Sequence, residues 1–146
     1  MLKQITVFLE NKPGRMEKVT GCLAEAKINL HALSLADTTD FGILRIIVSD
    51  TEKAMKVLKD NDFLAKAADV IAVAIDHNPG SLHKVLHKLN SSDISIEYMY
   101  AFTSRHSDYD AIVIMSVGNQ AAVIEKLNSG GLVLLDENLL DHINKS

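Results

Sequence analysis

The sequence predicts an α+β protein made of two βαββαβ units packed together with antiparallel sheets, and three observations carry that expectation. The chain repeats itself, each copy alternates between the period of a strand and that of a helix, and the breaks fall at turn-forming residues. Residues Val7 to Phe63 read VFLENKPGRMEKVTGCLAEAKINLHALSLAD, then ILRIIVSDTEKAMKVLKDNDF. Residues Val73 to Leu132 read VAIDHNPGSLHKVLHKLNSSDISIEYMYAFT, then AIVIMSVGNQAAVIEKLNSGGL. Setting Pro13 on Pro79 places Gly14 on Gly80, Val19 on Val85, Leu23 on Leu89 and Ile28 on Ile94. Further along the register slips, so that Leu44 falls on Ile112 and Leu58 on Leu127. The extra residues lie in the polar stretch Thr103 to Asp110, which reads as a loop. The expected domains are 1–68 and 69–146, with a link near Ala68 and Asp69 too short for independent tumbling.

The elements follow in order. Ile5, Val7 and Leu9 alternate as a strand does. Pro13-Gly14 breaks it, and Met16, Val19, Leu23 and Ala26 recur at helical spacing. Ile28 to Asp37 reads as a second strand, TTDFG as a turn and Ile43 to Ser49 as a third strand. Thr51 is a suitable N-cap for a helix burying Ala54, Val57 and Leu58, and Phe63 to Ala67 suits a short fourth strand. The second unit repeats the order with strand Val70–Ile75, helix Ser81–Asn90, strands Ile94–Thr103 and Ala111–Val117, helix Gln120–Asn128 and strand Leu132–Leu135. Asn119 caps the last helix and Gly130-Gly131 ends it. The order β-α-β-β-α-β is that of the ferredoxin-like split βαβ, whose right-handed crossovers put both helices on one sheet face.

Composition removes several classes of function. With 146 residues, 47% apolar and 23% charged, the chain is neither disordered nor fibrous. That length buries roughly two-thirds of the unfolded surface. A single cysteine, Cys22, excludes an internal disulfide and a cysteine-rich zinc site. The opening MLKQITVFLENKPGRMEK has neither the layout of a signal peptide nor the ~20 apolar residues of a membrane span, so a cytoplasmic protein is expected. The 15 basic and 19 acidic residues are spread along the chain, for a net charge of −4, without the basic face that a nucleic-acid partner requires.

The motifs at the strand ends carry a resemblance. Leu9-Glu10-Asn11-Lys12-Pro13-Gly14 with Ile28-Asn29-Leu30, and Asp76-His77-Asn78-Pro79-Gly80 with Ile94-Ser95-Ile96, resemble the ACT domain, twice over nearly the whole chain. The resemblance implies a regulatory module that binds a small ligand, most often a free L-amino acid. It implies pairing through strand two, a homodimer, and a ligand held between the first strand-to-helix loop of one domain and strand two of its neighbour. An enzyme or regulator of amino-acid metabolism would read the signal. No catalytic residue, cofactor or metal is expected, and neither nucleic acid nor membrane is an expected partner.

The same loops can be read chemically. Proline suits the first turn of a helix and glycine lets a ligand approach the backbone. The exposed amides of a first helical turn suit an α-carboxylate. Asn11 and Asn29 each offer an acceptor and two donors, and by the resemblance they match asparagines with which relatives sense polar amino acids. The ligand-binding residues expected in unit one are Asn11, Lys12, Pro13, Gly14, Arg15 and Met16 in the loop, with Asn29 and Leu33 on strand two. In unit two they are His77, Asn78, Pro79, Gly80, Ser81 and Leu82, with Ser95, Tyr98 and Tyr100. Pairing within the chain would set Asn11 against Ser95 and His77 against Asn29; pairing of like units across two chains would set Asn11 against the partner's Asn29. Many ACT loops carry Asp where Asn11 and His77 stand, and an imidazole there makes the second site chemically different and pH-sensitive.

Plainer readings stand beside these. The asparagines and Pro-Gly pairs also serve as turn punctuation. Tyr98, Tyr100 and Phe102 alternate onto one sheet face and suit an interface, core packing or a ligand's side chain. His83 and His87 are four apart on a helix, the spacing of a metal pair, but lack the glutamate of H-E-x-x-H. A small metal-assisted enzyme using His77, His83 and His87 is therefore one alternative, and a pure protein-interaction module another. Cys22 reads as a small core residue without a base to activate it.

Overall fold

The computed structural model describes residues 1–38, 40–90, 94–103 and 110–136. Most of the expected loop, 104–109, lies outside the described residues. The elements are β1 (Leu2–Glu10), α1 (Arg15–Glu25), β2 (Leu30–Asp37), β3 (Phe41–Val48), α2 (Thr51–Asp60) and β4 (Leu64–Ile75). They continue as α3 (Ser81–Lys88), β5 (Ile96–Phe102), β6 (Ala111–Val117), α4 (Gln120–Ser129) and β7 (Val133–Leu135). Two compact units result, one of Lys3–Ala68 and one from Asp69 onward that also takes Met1–Leu2. In the first the strand order is β2-β3-β1-β4, with β2 antiparallel to β3 and β3 to β1. In the second it is β7-β4-β6-β5, again antiparallel.

No linker separates the units at Ala68-Asp69. Residues 64–75, LAKAADVIAVAI, contain neither glycine nor proline, and one twelve-residue strand runs through the boundary. The fourth strand of unit one and the first strand of unit two are therefore the same element. Within unit two the Gln120 Nε2 amide donates to the Asp69 carbonyl at 2.9 Å, tying the start of α4 to this strand.

Each unit has its own core between sheet and helices. In unit one Ile5, Val7 and Leu9 of β1 and Leu44 and Ile46 of β3 meet Val19 and Leu23 of α1 and Leu58 of α2. In unit two Ile71 and Val73 of β4 and Val113 and Met115 of β6 meet Val85 of α3 and Val123 and Leu127 of α4. Burying each such side chain contributes about 1.5–3 kcal/mol before the entropy of ordering is subtracted.

Three helices end alike. The Lys27 amide donates to Ala24 and Ile28 to Leu23, Asp62 to Lys59 and Phe63 to Leu58, Gly131 to Asn128 and Leu132 to Leu127. Lys27, Asp62 and Gly131 have φ of 59°, 64° and 76°, so each end is a Schellman motif closed by a left-handed residue. The motif turns the next residue back onto the helix it has just left. Ile28 and Phe63 are thus buried caps rather than the strand residues that the sequence suggests. Thr51 is likewise not the cap of α2 but its first residue: the Asp50 carboxylate accepts from the Lys53 amide at 3.0 Å.

The register also differs from expectation. Val7 pairs with Leu44 and Val73 with Val113, so the counterpart of Leu44 is Val113 and not Ile112. A shift of one residue reverses the sheet face, and Ile112 lies on the face away from the helices. Bulges at Leu30/Ala32 in β2 and Ile96/Tyr98 in β5 fall at matching places in the two units.

Candidate functional site

Each candidate site begins where the first strand of a unit turns into its first helix. After β1, Lys12-Pro13-Gly14-Arg15 closes with the Arg15 amide on the Lys12 carbonyl at 3.5 Å, and Gly14 has φ 84° and ψ −4°. After β4, Asn78-Pro79-Gly80-Ser81 closes with Ser81 on Asn78 at 3.1 Å, and Gly80 has φ 90° and ψ −4°. Proline followed by a left-handed glycine makes both of these type II turns. Proline therefore precedes the helix instead of occupying its first turn. The space where either glycine's Cβ would stand is open, so glycine is required by φ, not by a close neighbour.

These turns leave the helices α1 and α3 without a side-chain cap. By contrast α2 is capped by Asp50, and α4 by the Asn119 side chain accepting from the Ala122 amide at 3.2 Å. The amides of Met16 and Glu17 in α1, and of Leu82 and His83 in α3, are the second and third of their helices. An N-cap side chain satisfies such donors, and without one they suit an anion.

In unit one the turn opens on a cavity of about 340 Å³ lined by Leu9, Glu10, Asn11, Lys12, Arg15, Met16, Leu35, Ala36, Asp37 and Gly42. Its floor is aliphatic and its rim charged. Glu10 and Lys12 pair at 2.9 Å in solvent, and this hydrogen bond and charge, with Arg15 adding to it, hold the Glu10 carboxyl below its ordinary range. The Arg15 guanidinium lies 4.6 Å from the centre of the buried Phe63 ring, and its Nε makes no hydrogen bond. A second cavity of about 370 Å³ adjoins on the far side of Glu10 and Arg15, bounded by the edge-to-face pair Phe8 and Phe41.

In unit two the cavity is about 290 Å³, and Asn78, Pro79 and Ser81 line it with Lys84, Gly131, Leu132 and Val133. It thus opens toward β7, whereas the unit-one cavity opens toward β2. His77 is exposed, and its backbone amide donates to the Asp110 carboxylate at 3.0 Å.

A family model described as an ACT domain pair matches residues 1–142. The chain belongs to that family. Among solved structures, protein BT0572 from Bacteroides thetaiotaomicron superposes on this ACT domain pair with a TM-score of 0.87 at 44% identity, covering 96% of this chain and 95% of that one. The ligand-free regulatory subunit of aspartate kinase from Thermus thermophilus gives a TM-score of 0.61 at 16% identity over 87% of this chain and 90% of its own. The corresponding subunit from Thermus flavus gives 0.60 at 17%, with the same coverage. At those identities the two kinase subunits share the fold. No curated protein matches the sequence.

The ACT pair does not bring all the predicted residues together inside one unit. The Asn29 amide donates to Ser49 Oγ and its carbonyl accepts from the Ser49 amide, both at 3.0 Å. Asn29 therefore stands by the C-terminal end of β3, while Glu10 beside Asn11 pairs with Phe41 at its start. Seven residues of strand, about 23 Å, separate the two ends. Ser95 occupies the matching position in unit two, its carbonyl accepting from Gly118 at 3.0 Å. Leu33 sits beside Ile46 on the helix face of β2 and is 51% exposed.

Tyr98 and Tyr100 pair with Ser116 and Ile114. That puts them with Phe102 on the face away from the helices, and Met99, not either tyrosine, answers to Leu33. Leu33 and Met99 are related by the offset that sets Pro13 on Pro79, and the bulge in β5 puts Ile96, opposite Val117, and Tyr98, opposite Ser116, on different faces. Pro13, Gly14 and Leu82 shape the turns and helix starts without lining these cavities. Glu10, Leu35 and Asp37, which do line the first cavity, were not singled out in the sequence. The β2 contribution becomes visible only with the pairing of Asp37 and Gly42.

Cys22 is half-buried; burial pushes its thiol above the ordinary range, and Sγ donates to the Val19 carbonyl at 3.1 Å. Such a thiol is a poor nucleophile. Among the described residues no three histidine, cysteine or acidic side chains are grouped for a metal. No helix among them is long and apolar enough to cross a membrane.

Proposed function

We propose that this ACT domain pair is a regulatory protein that binds a free L-amino acid at the turn between β1 and α1, and passes the change to an enzyme or regulator of amino-acid metabolism. The observation that carries the reading is the pairing of an uncapped helix N-terminus with an aliphatic cavity. The open amides of Met16 and Glu17 suit the α-carboxylate. Asn11 offers its carbonyl to the α-ammonium, and Leu9, Met16 and Leu35 receive an apolar side chain.

Asn29 joins the site from a second ACT unit. Its position at the far end of β2 supports this, because antiparallel pairing of two β2 edges would bring that end to a neighbour's loop. The exposed Leu33 and Leu35, at 51% and 53%, lie on the β2 edge that such pairing would cover. A homodimer follows, and binding acts by stiffening or re-angling its interface. The His77–Ser81 loop is a second site of different chemistry, and the protein performs no catalysis.

Thermal unfolding against each of the twenty amino acids at millimolar concentration tests the reading. A ligand at a hundred times its dissociation constant adds about 2.7 kcal/mol, or about 5–10 °C in a chain of this size. One amino acid, or one chemical group of them, should give that shift, and Asn11→Ala should remove it while leaving the unliganded midpoint in place. A sharp melt unmoved by all twenty would contradict amino-acid binding.

A further inference from the structure

The helix α3 carries a pair of side chains that the ligand site does not use. His83 and His87 lie one turn apart, their ring centres 6.0 Å from each other and their planes inclined by 35°. Both are exposed, whereas Val85 and Leu89 of the same segment are buried in the core of unit two. Neither histidine is therefore explained by packing. Between them and the start of β5 runs a groove of about 360 Å³, lined by the two rings, Asn90, and the apolar side chains of Leu86, Ile94 and Ile96.

We propose that His83 and His87 form a two-histidine site for a late first-row divalent ion of the Zn²⁺, Ni²⁺ or Cu²⁺ kind. Two imidazoles bound to one tetrahedral ion at ordinary metal–nitrogen lengths place their ring centres about 5 Å apart. The observed 6.0 Å is within reach of a small rotation of two exposed side chains. The chemistry of the pair selects the ion. Imidazole suits zinc, nickel and copper, while magnesium and calcium require oxygen ligands. No third histidine, cysteine or acidic side chain joins the pair among the described residues. The apolar groove wall limits water on one side of the ion, which strengthens its bonds to nitrogen.

The consequence for the fold is local. The helix α3 has only eight residues, short for an isolated helix. A metal joining its first turn to its last would clamp it behind the His77–Ser81 loop. Unit one carries Glu17 and Gly21 at the corresponding positions of α1, so the site belongs to unit two alone.

Isothermal titration of the tag-free full chain with Zn²⁺ and Ni²⁺ tests this. A site with half the ligands of a structural zinc centre should bind one ion with a dissociation constant of about 1–200 µM. His83→Ala and His87→Ala should each weaken it about tenfold or more, and the double variant should abolish it. The remaining four histidines are untouched in all of these. The metal should also raise the unfolding midpoint of the wild type and not that of the double variant. His83→Gln/His87→Gln serves as a second pair should the alanines disturb the helix. Equal affinity in the wild type and either double variant, or no binding by the wild type at millimolar metal, would overturn the proposal.

Discussion

The two strand-to-helix turns share a backbone and differ in nearly every side chain that a ligand would meet. Both are type II turns with proline at the second position and glycine at φ 84° or 90°, and both leave the helix that follows uncapped. Around that common frame unit one sets Glu10, Lys12 and Arg15 over an aliphatic floor that reaches β2. Unit two sets Asp76, Asn78 and Ser81 at the same places, over a floor that reaches β7, with His77 tied to Asp110 through its amide. The two units keep the same turn geometry and differ in the chemistry around it. One chain thus presents two loops that need not answer to the same ligand.

The largest effect should fall on the common frame. Gly14→Ala and Gly80→Ala each force a side chain into a left-handed conformation with open space around it, so the cost is backbone strain alone, about 1–2 kcal/mol. Urea unfolding should give similar losses for the two; a loss in one only would break the equivalence of the turns. Next come the capped helices. Asp50→Ala and Asn119→Ala should each cost about 1 kcal/mol, whereas Asn11→Ala, beside a helix with no side-chain cap, should cost close to nothing.

A smaller effect separates the units. Arg15→Ala removes a cation from the face of Phe63 and should cost about 0.5–1 kcal/mol, while Ser81→Ala at the matching position should be nearly neutral. The smallest concerns Glu10, whose carboxyl is held down by Lys12 first and Arg15 second. A folded pKa below the unfolded one contributes stability that is present above the unfolded value and lost as pH falls through the folded value. Lys12→Ala should raise the Glu10 midpoint toward the ordinary carboxylate value in an NMR titration and flatten that part of the acid limb. Asp76 faces no lysine at the corresponding place, since residue 78 is asparagine.

Much of this architecture was legible in the sequence because periodicity and repetition are averaged over many residues. Ile5, Val7 and Leu9, or Val19 and Leu23, announce their elements whatever surrounds them. Features decided by one or two backbone angles were not legible. Pro-Gly fits a helix start and a type II turn equally well until φ of the glycine is known. Lys27 takes a left-handed conformation that its residue type does not advertise, and Asp62 takes one that its type tolerates without requiring, which sends Ile28 and Phe63 into caps rather than strands. The bulges at Leu30/Ala32 and Ile96/Tyr98 follow from strand pairing, and the second sets Ile96 and Tyr98, two residues apart, on opposite faces of the sheet. The unbroken β4 is not legible because the repeat places the strands Phe63 to Ala67 and Val70 to Ile75 in different units. Of the first candidate site, the loop residues Asn11, Lys12, Arg15 and Met16 were readable from the motif. Leu35 and Asp37 were not, because they reach the cavity only through pairing with β3.

In the proposed function, the open amides behind the Pro-Gly turns hold the ligand. Amide NMR spectra of the labelled chain, recorded while the twenty L-amino acids are added in pools, test it most directly. An active pool should move the Met16 and Glu17 amides first and farthest, with Asn29 following as the neighbouring unit's contribution. An active pool that leaves Met16 and Glu17 in place and moves amides elsewhere would contradict it.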